Sequence, residues 1–164
     1  LPVMLYNIPG RSSVNLLPET VARLAEIENI TAIKEASGNM DQMTQLRILL
    51  PDDFLIYSGD DSLTLPMMAL GAAGVVSIAS HLVGKEMRKM IDACMQGNNQ
   101  EALELQKRLF PIFRGLFITT NPVPLKEALN LMGMQVGGFR SPLCHADDKE
   151  LVTIKKMLVD YGLL

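Results

Sequence analysis

Cysteine is scarce in this chain. Cys94 and Cys144 are the only two, they stand far apart, and they match no CxxC or His/Cys ligand spacing. That excludes a disulfide framework and a thiolate zinc site, and it fits a reducing compartment, the cytoplasm. No metal is expected. Basic excess is missing too: 15 Lys and Arg face 18 Asp and Glu, for a net charge of −3, so no nucleic-acid partner is implied. No apolar run approaches the roughly 18 residues of a membrane helix, which leaves a small molecule as the expected ligand. No G-x-G-x-x-G follows a strand, so a dinucleotide site is disfavoured. Low-complexity segments and long linkers are absent as well. The chain opens at Leu1 on strand-like residues, without an initiator methionine, charged leader or cleavage signal. The expectation is a piece from the middle of a longer gene product.

What is present is a core and a period. The 164 residues are 48% hydrophobic and 20% charged, enough to bury one large or two small units. Eleven methionines, mostly at helical core spacing, read as adaptable packing. Four short segments, apolar on both faces, predict strands at Val3 to Tyr6, Thr31 to Lys34, Phe54 to Tyr57 and Val75 to Ile78. Helix signals lie between them. Pro18 to Glu26 starts on a proline, Met40 to Leu50 follows a capping Asn39, Leu63 to Leu70 follows Asp60-Asp61-Ser62 and stops at Gly71, and Gly84 to Met95 closes at Gly97. Strands buried on both faces and alternating with helices predict a parallel α/β sheet. Four βα units are half of an eight-fold (β/α) barrel, whose full fold takes about 250 residues. From about Gln100 the strand pattern is lost. Three helices are predicted there, Gln100 to Ile118, Pro124 to Met134 and Asp147 to Tyr161. The expected division is 1–97, a half barrel, and 98–164, a helical extension.

Chemistry concentrates at the strand ends, where a (β/α) barrel carries its active site. Lys34 ends the second strand in Thr-Ala-Ile-Lys-Glu-Ala-Ser-Gly and shares a face with Ala32, while Thr31, Ile33 and Glu35 share the other. In a closed interior its amine would be poorly solvated and available as a nucleophile toward a carbonyl carbon, which is Schiff-base chemistry. Alone, the same lysine reads as an edge-strand charge that blunts edge-to-edge pairing. Tyr6, ending the first strand, has a hydroxyl suited to proton relay, and Arg11 beyond it a fork suited to a carboxylate. Each also has a structural reading, Tyr6 as a core aromatic and Arg11 as a surface residue in a turn.

Together the motifs resemble a family. Leu-Tyr-Asn-Ile-Pro-Gly-Arg, Ala-Ile-Lys-Glu-Ala-Ser-Gly-Asn, Ser-Gly-Asp-Asp, Gly-Val-Val-Ser and Asn-Pro-Val-Pro-Leu-Lys, in that order, are similar to the second half of the dihydrodipicolinate synthases. These are pyruvate-dependent class I aldolases of the N-acetylneuraminate lyase-like kind. The resemblance covers essentially the whole chain and implies strands five to eight of a (β/α)8 barrel with a three-helix C-terminal extension. It implies that Lys34 forms the pyruvate Schiff base and Tyr6 relays protons. Arg11 would then take the carboxylate of the second substrate, Val76 would contact pyruvate through its backbone, and Gly59 and Asp60 would shape the mouth of the site. An arginine at position 11 favours aspartate 4-semialdehyde over the sugar aldehydes of related lyases. Ser12 stands where threonine is common.

The implied activity is condensation of pyruvate with aspartate 4-semialdehyde in lysine (diaminopimelate) biosynthesis, without metal or organic cofactor, in a homo-oligomer. The family's first half, with a threonine pair and a second tyrosine of the relay, has no counterpart here. The isolated chain is therefore expected to be inactive and to need that half or self-association. Two alternatives remain: another pyruvate-dependent aldolase of the family, and a non-catalytic half barrel that self-associates.

Overall fold

The structure, a computed structural model, describes residues 1–164 and divides them into two compact units. The first comprises Leu1–Ser77 with Ile91–Asn99, the second Ile78–Met90 with Gln100–Leu164. In the first unit, strands β1 (Val3–Asn7), β2 (Ile30–Glu35), β3 (Leu55–Ser58) and β4 (Gly74–Val75) form one parallel sheet in the order β1-β2-β3-β4. Parallel neighbours need crossovers, and these are helical: α1 (Pro9–Ser12) and α2 (Pro18–Leu24), then α3 (Met40–Leu49), then α4 (Thr64–Ala69) after a 3₁₀ turn at Asp61–Leu63. The order runs without the reversal of a doubly wound sheet.

The start and stop signals act as expected. Asn39 caps α3 by accepting from the backbone N–H of Gln42 at 3.0 Å, and Asp60 accepts from Ser62 N at 2.8 Å. Gly71 ends the α4 segment with φ of +87°, a conformation costly for a side chain. One face of the sheet is covered by helices. Val21, Ile33, Met43, Leu46, Phe54, Ile56 and Met67 form a core there, each buried. Burial of such side chains is worth about 1.5–3 kcal/mol apiece.

The fourth strand departs from the sequence expectation, because only Gly74–Val75 pair as a strand. Val76 N still donates to Ser58 O at 2.9 Å, but Leu82 and Val83 N–H groups already donate to Ala79 O, so Ile78 and its successors enter a helical turn. Ser80 and His81 open α5 (Ser80–Met95), four residues ahead of the expected start at Gly84, and the helix is kinked at Val83. β-Branched Val-Val-Ser-Ile favours extension, and the partner strand simply ends at Ser58. That the turn at Pro9–Ser12 is helical was not foreseen.

In the second unit, α6 (Asn99–Gly115), α7 (Val123–Leu131) and α8 (Asp148–Tyr161) are the three expected helices, with α6 and α7 ending three residues early. Asp147 heads α8 in a reciprocal capping box with Glu150, and α7 packs on α8. Gly115 leaves room for the side chain of Met157. No helix is long and apolar enough to cross a membrane.

Candidate active site

Strand register brings Tyr6, Lys34 and Tyr57 into one row across β1, β2 and β3. All three point to the face without helices. The Lys34 Nζ lies 4.1 Å from the centroid of the Tyr6 ring, a cation–π contact. Lys34 is on an inner strand, which removes the edge-strand reading. Tyr6 is 51% exposed, which removes the core reading. The closed surroundings considered for Lys34 are also missing, since Met4, Leu55 and Val76 on this part of the sheet are all exposed.

Gly59 belongs to the same neighbourhood. Its N–H donates to Glu35 O at 2.7 Å, and a Cβ there would lie 2.6 Å from Ala36 Cβ and 3.1 Å from Lys34 Cε. Only glycine lets the β3 loop run this close to the lysine stem. Asp60 follows, but its carboxylate is engaged by Ser62 N and Ser62 Oγ, both at 2.8 Å, in capping the 3₁₀ turn. Val76 uses its N–H within the sheet, which leaves the carbonyl as its backbone group for a ligand. Arg11 sits on the exposed short helix α1 that follows β1, in the turn its structural reading gave it.

Sequence reasoning overlooked a polar cluster on the opposite, helix-covered face. Asn7, Glu35 and Ser58 occupy the next register row, exposed by 1%, 2% and 0%. The Glu35 carboxylate accepts from Asn7 Nδ2 at 2.9 Å, from Ser37 N at 2.5 Å and from Gln42 Nε2 at 3.4 Å. Asn7 also donates to Asn15 Oδ1 at 2.9 Å and accepts from Leu16 N at 2.9 Å, and Asn15 Nδ2 donates to Gln42 Oε1 at 2.8 Å. The one available signal was parity, since Glu35 shares a strand face with the apolar Ile33. Tyr57 was passed over as well, for want of its register with Lys34.

Elsewhere, a groove of about 510 Å³ in the helical unit is lined by Arg108, Pro111, Met157 and Tyr161, among others, and by none of the candidate residues. Burial pushes the Tyr161 phenol above its ordinary range, against the opposing influence of Arg108. No three His, Cys, Asp or Glu side chains are grouped so as to hold a metal.

Comparison with known proteins follows the same geometry. The profile of the Dihydrodipicolinate synthetase family matches residues 1–160. The 4-hydroxy-tetrahydrodipicolinate synthase of Desulforudis audaxviator is 59% identical over 100% of this chain and 56% of its own length. That of Desulforamulus reducens is 58% identical with the same coverage, so the chain spans about half the length of the curated relatives it matches. Among solved structures, dihydrodipicolinate synthase from Cyanidioschyzon merolae with lysine bound superposes with a TM-score of 0.97 at 45% identity, over 100% of this chain and 56% of that one.

Proposed function

Because this chain belongs to the dihydrodipicolinate synthetase family, we propose that it is the C-terminal half of a lyase that condenses pyruvate with aspartate 4-semialdehyde on the way to lysine and diaminopimelate. In this reading β1 to β4 are strands five to eight of a (β/α)8 barrel, 1–97 being the half barrel and 98–164 its helical extension. The observation that carries the reading is the Lys34 amine held 4.1 Å over Tyr6 at the carboxyl end of an inner strand.

The chemistry needs no metal or organic cofactor. The Lys34 amine attacks the ketone carbon of pyruvate, water leaves as the carbinolamine becomes an imine, and loss of a methyl proton gives the enamine. The enamine carbon then attacks the aldehyde of the second substrate, and cyclisation releases the lysine. Tyr6 carries protons to and from the carbinolamine and aldehyde oxygens. Arg11 holds the incoming carboxylate with two parallel hydrogen bonds, and the Val76 carbonyl and the Gly59-Asp60 loop bound the pyruvate end. Specificity for another 2-oxo acid or aldehyde would leave Lys34 in the same role and change the role of Arg11.

The bare face of the sheet supports a second element of the reading, that this chain does not work alone. Parallel sheets are covered on both faces, and β1 and β4 each lack a neighbour on one side. The missing cover is the family's first half, or a second copy of this chain acting as a non-catalytic stand-in. Assembly of the completed protein as a homo-oligomer, in the cytoplasm where Cys94 and Cys144 stay unpaired, belongs to the same proposal.

Borohydride reduction in the presence of pyruvate tests the chemistry. In the chain extended with the first half of the Desulforamulus relative, mass spectrometry should find the reduced adduct on Lys34. An adduct on another lysine, or none, refutes the assignment. For the isolated chain, light scattering should find self-association and the assay little condensation; a fully active monomer would refute the half-barrel division.

A further inference from the structure

We propose that Glu35 is the positioning residue of this site: its buried carboxylate clamps the ends of β1 and β2 from the helix side and so holds Lys34 over Tyr6. The inference rests on the Schiff-base reading for its catalytic consequence and on hydrogen bonds alone for its geometry.

Two rows of side chains, one register step apart, face opposite ways. Tyr6 pairs with Lys34 on the open face, and Asn7 pairs with Glu35 on the covered one. Each residue of the working pair is thus bonded in sequence to a member of the clamp. Glu35 Oε2 accepts from Asn7 Nδ2 at 2.9 Å, which ties the two strands side chain to side chain. Glu35 Oε1 accepts from Ser37 N at 2.5 Å and fixes the turn by which the chain leaves Lys34. Gln42 reaches Glu35 from the first turns of α3 at 3.4 Å and also donates to Leu16 O at 3.3 Å, joining the loop after β1 to the same carboxylate. A carboxylate buried under a sheet is costly unless donors surround it, and an aliphatic side chain such as those of Ile33 and Ile56 would fill the space without that cost. Apolar packing would also hold the register, but it is not directional. A directional clamp at the last paired row resists fraying and slippage where a small displacement moves the amine off the ring.

Glu35→Gln keeps the volume and replaces one acceptor oxygen by a donor facing Asn7 Nδ2 and Gln42 Nε2. The partner experiment is the exchange Asn7→Asp with Glu35→Gln, which restores a donor–acceptor pair across the same strands with the charge moved to β1. In the extended chain, Glu35→Gln should slow pyruvate imine formation and kcat about ten- to a hundredfold, with KM for pyruvate changed less than about threefold, as expected for a misplaced rather than a lost group. The exchange should recover most of that rate. A loss of thermal stability with kcat unchanged, or a slow Glu35→Gln enzyme that the exchange leaves slow although folded, overturns the clamp. If the unsubstituted chain traps no pyruvate, the Schiff-base reading fails by itself, and a crystal structure of Glu35→Gln decides the clamp: an unaltered Lys34–Tyr6 contact refutes it, a separated pair supports it.

Discussion

The two faces of the four-stranded sheet are built from alternate residues of the same strands, yet they differ in almost every physical respect. On the covered face Ile33 and Ile56 pack against Val21, Met43, Leu46 and Met67, and even the polar Asn7 and Glu35 are buried and bonded to one another. On the open face Met4, Tyr6 and Leu55 stand exposed around Lys34. The covered face is packed by this chain's own helices; the open face holds Lys34 against Tyr6 with no helix over it. Substitutions on the two faces should therefore part company: apolar ones on the covered face should change stability, those at Lys34 and Tyr6 on the open face should change chemistry, and Glu35 is the covered-face residue expected to reach across.

The largest effect is expected at Lys34. Lys34→Ala removes the nucleophile, so the extended chain should form no pyruvate adduct and show condensation at the background rate, with thermal stability close to the parent's. Tyr6→Phe comes next. It keeps the ring beneath the amine but deletes the hydroxyl, and kcat should fall on the order of a hundred- to ten-thousandfold while borohydride still traps some imine. A Tyr6→Phe enzyme at parental rate would move the relay elsewhere, Tyr57 being the nearest phenol in the row.

On the covered face, Leu46→Ala removes a fully buried side chain from α3 and should cost roughly 2–5 kcal/mol in chemical denaturation. Any adduct should still form on Lys34 in the fraction that remains folded. Arg11→Lys is a smaller change, since charge is kept while the two-point grip is lost. KM for aspartate 4-semialdehyde should rise roughly tenfold, about the loss of one charge-assisted hydrogen bond, and KM for pyruvate should rise less. Equal increases in both would assign Arg11 a structural part in α1.

The sequence carries the covered face and the place of Lys34 near the end of β2 well, and the buried polar row beside it poorly, for the same reason. Periods are local: alternation within Thr31 to Glu35 tells which residues share a side, and caps at Asn39 and Asp60 tell where helices start. Register is not local. Nothing in the order of residues says that Tyr6 faces Lys34, that Asn7 faces Glu35, or that the β3 loop at Gly59 lies against the lysine stem. A polar residue at a strand end reads as the beginning of solvent, and here it is the most buried polar row of the sheet. The fourth strand failed for a related cause. Val75 to Ile78 has the β-branched composition of a strand, but its length was decided by where β3 stops offering carbonyls, at Ser58.

The smallest expected effect is also the one that isolates the difference between the faces. Met4 lies on β1, 44% exposed, paired in register with the buried Ala32. In the isolated chain Met4→Ala removes little apolar contact and leaves no cavity, so denaturation should change by no more than about 0.5 kcal/mol. In the extended chain the same side chain would lie under the first half, inside a filled barrel, and deleting most of it should then cost about 2 kcal/mol or more. Measured side by side, the pair gives a contrast that Leu46→Ala does not, because Leu46 is already buried by this chain alone. Equal, small costs for Met4→Ala in both chains would mean that the open face stays open, and the half-barrel reading would lose its structural ground.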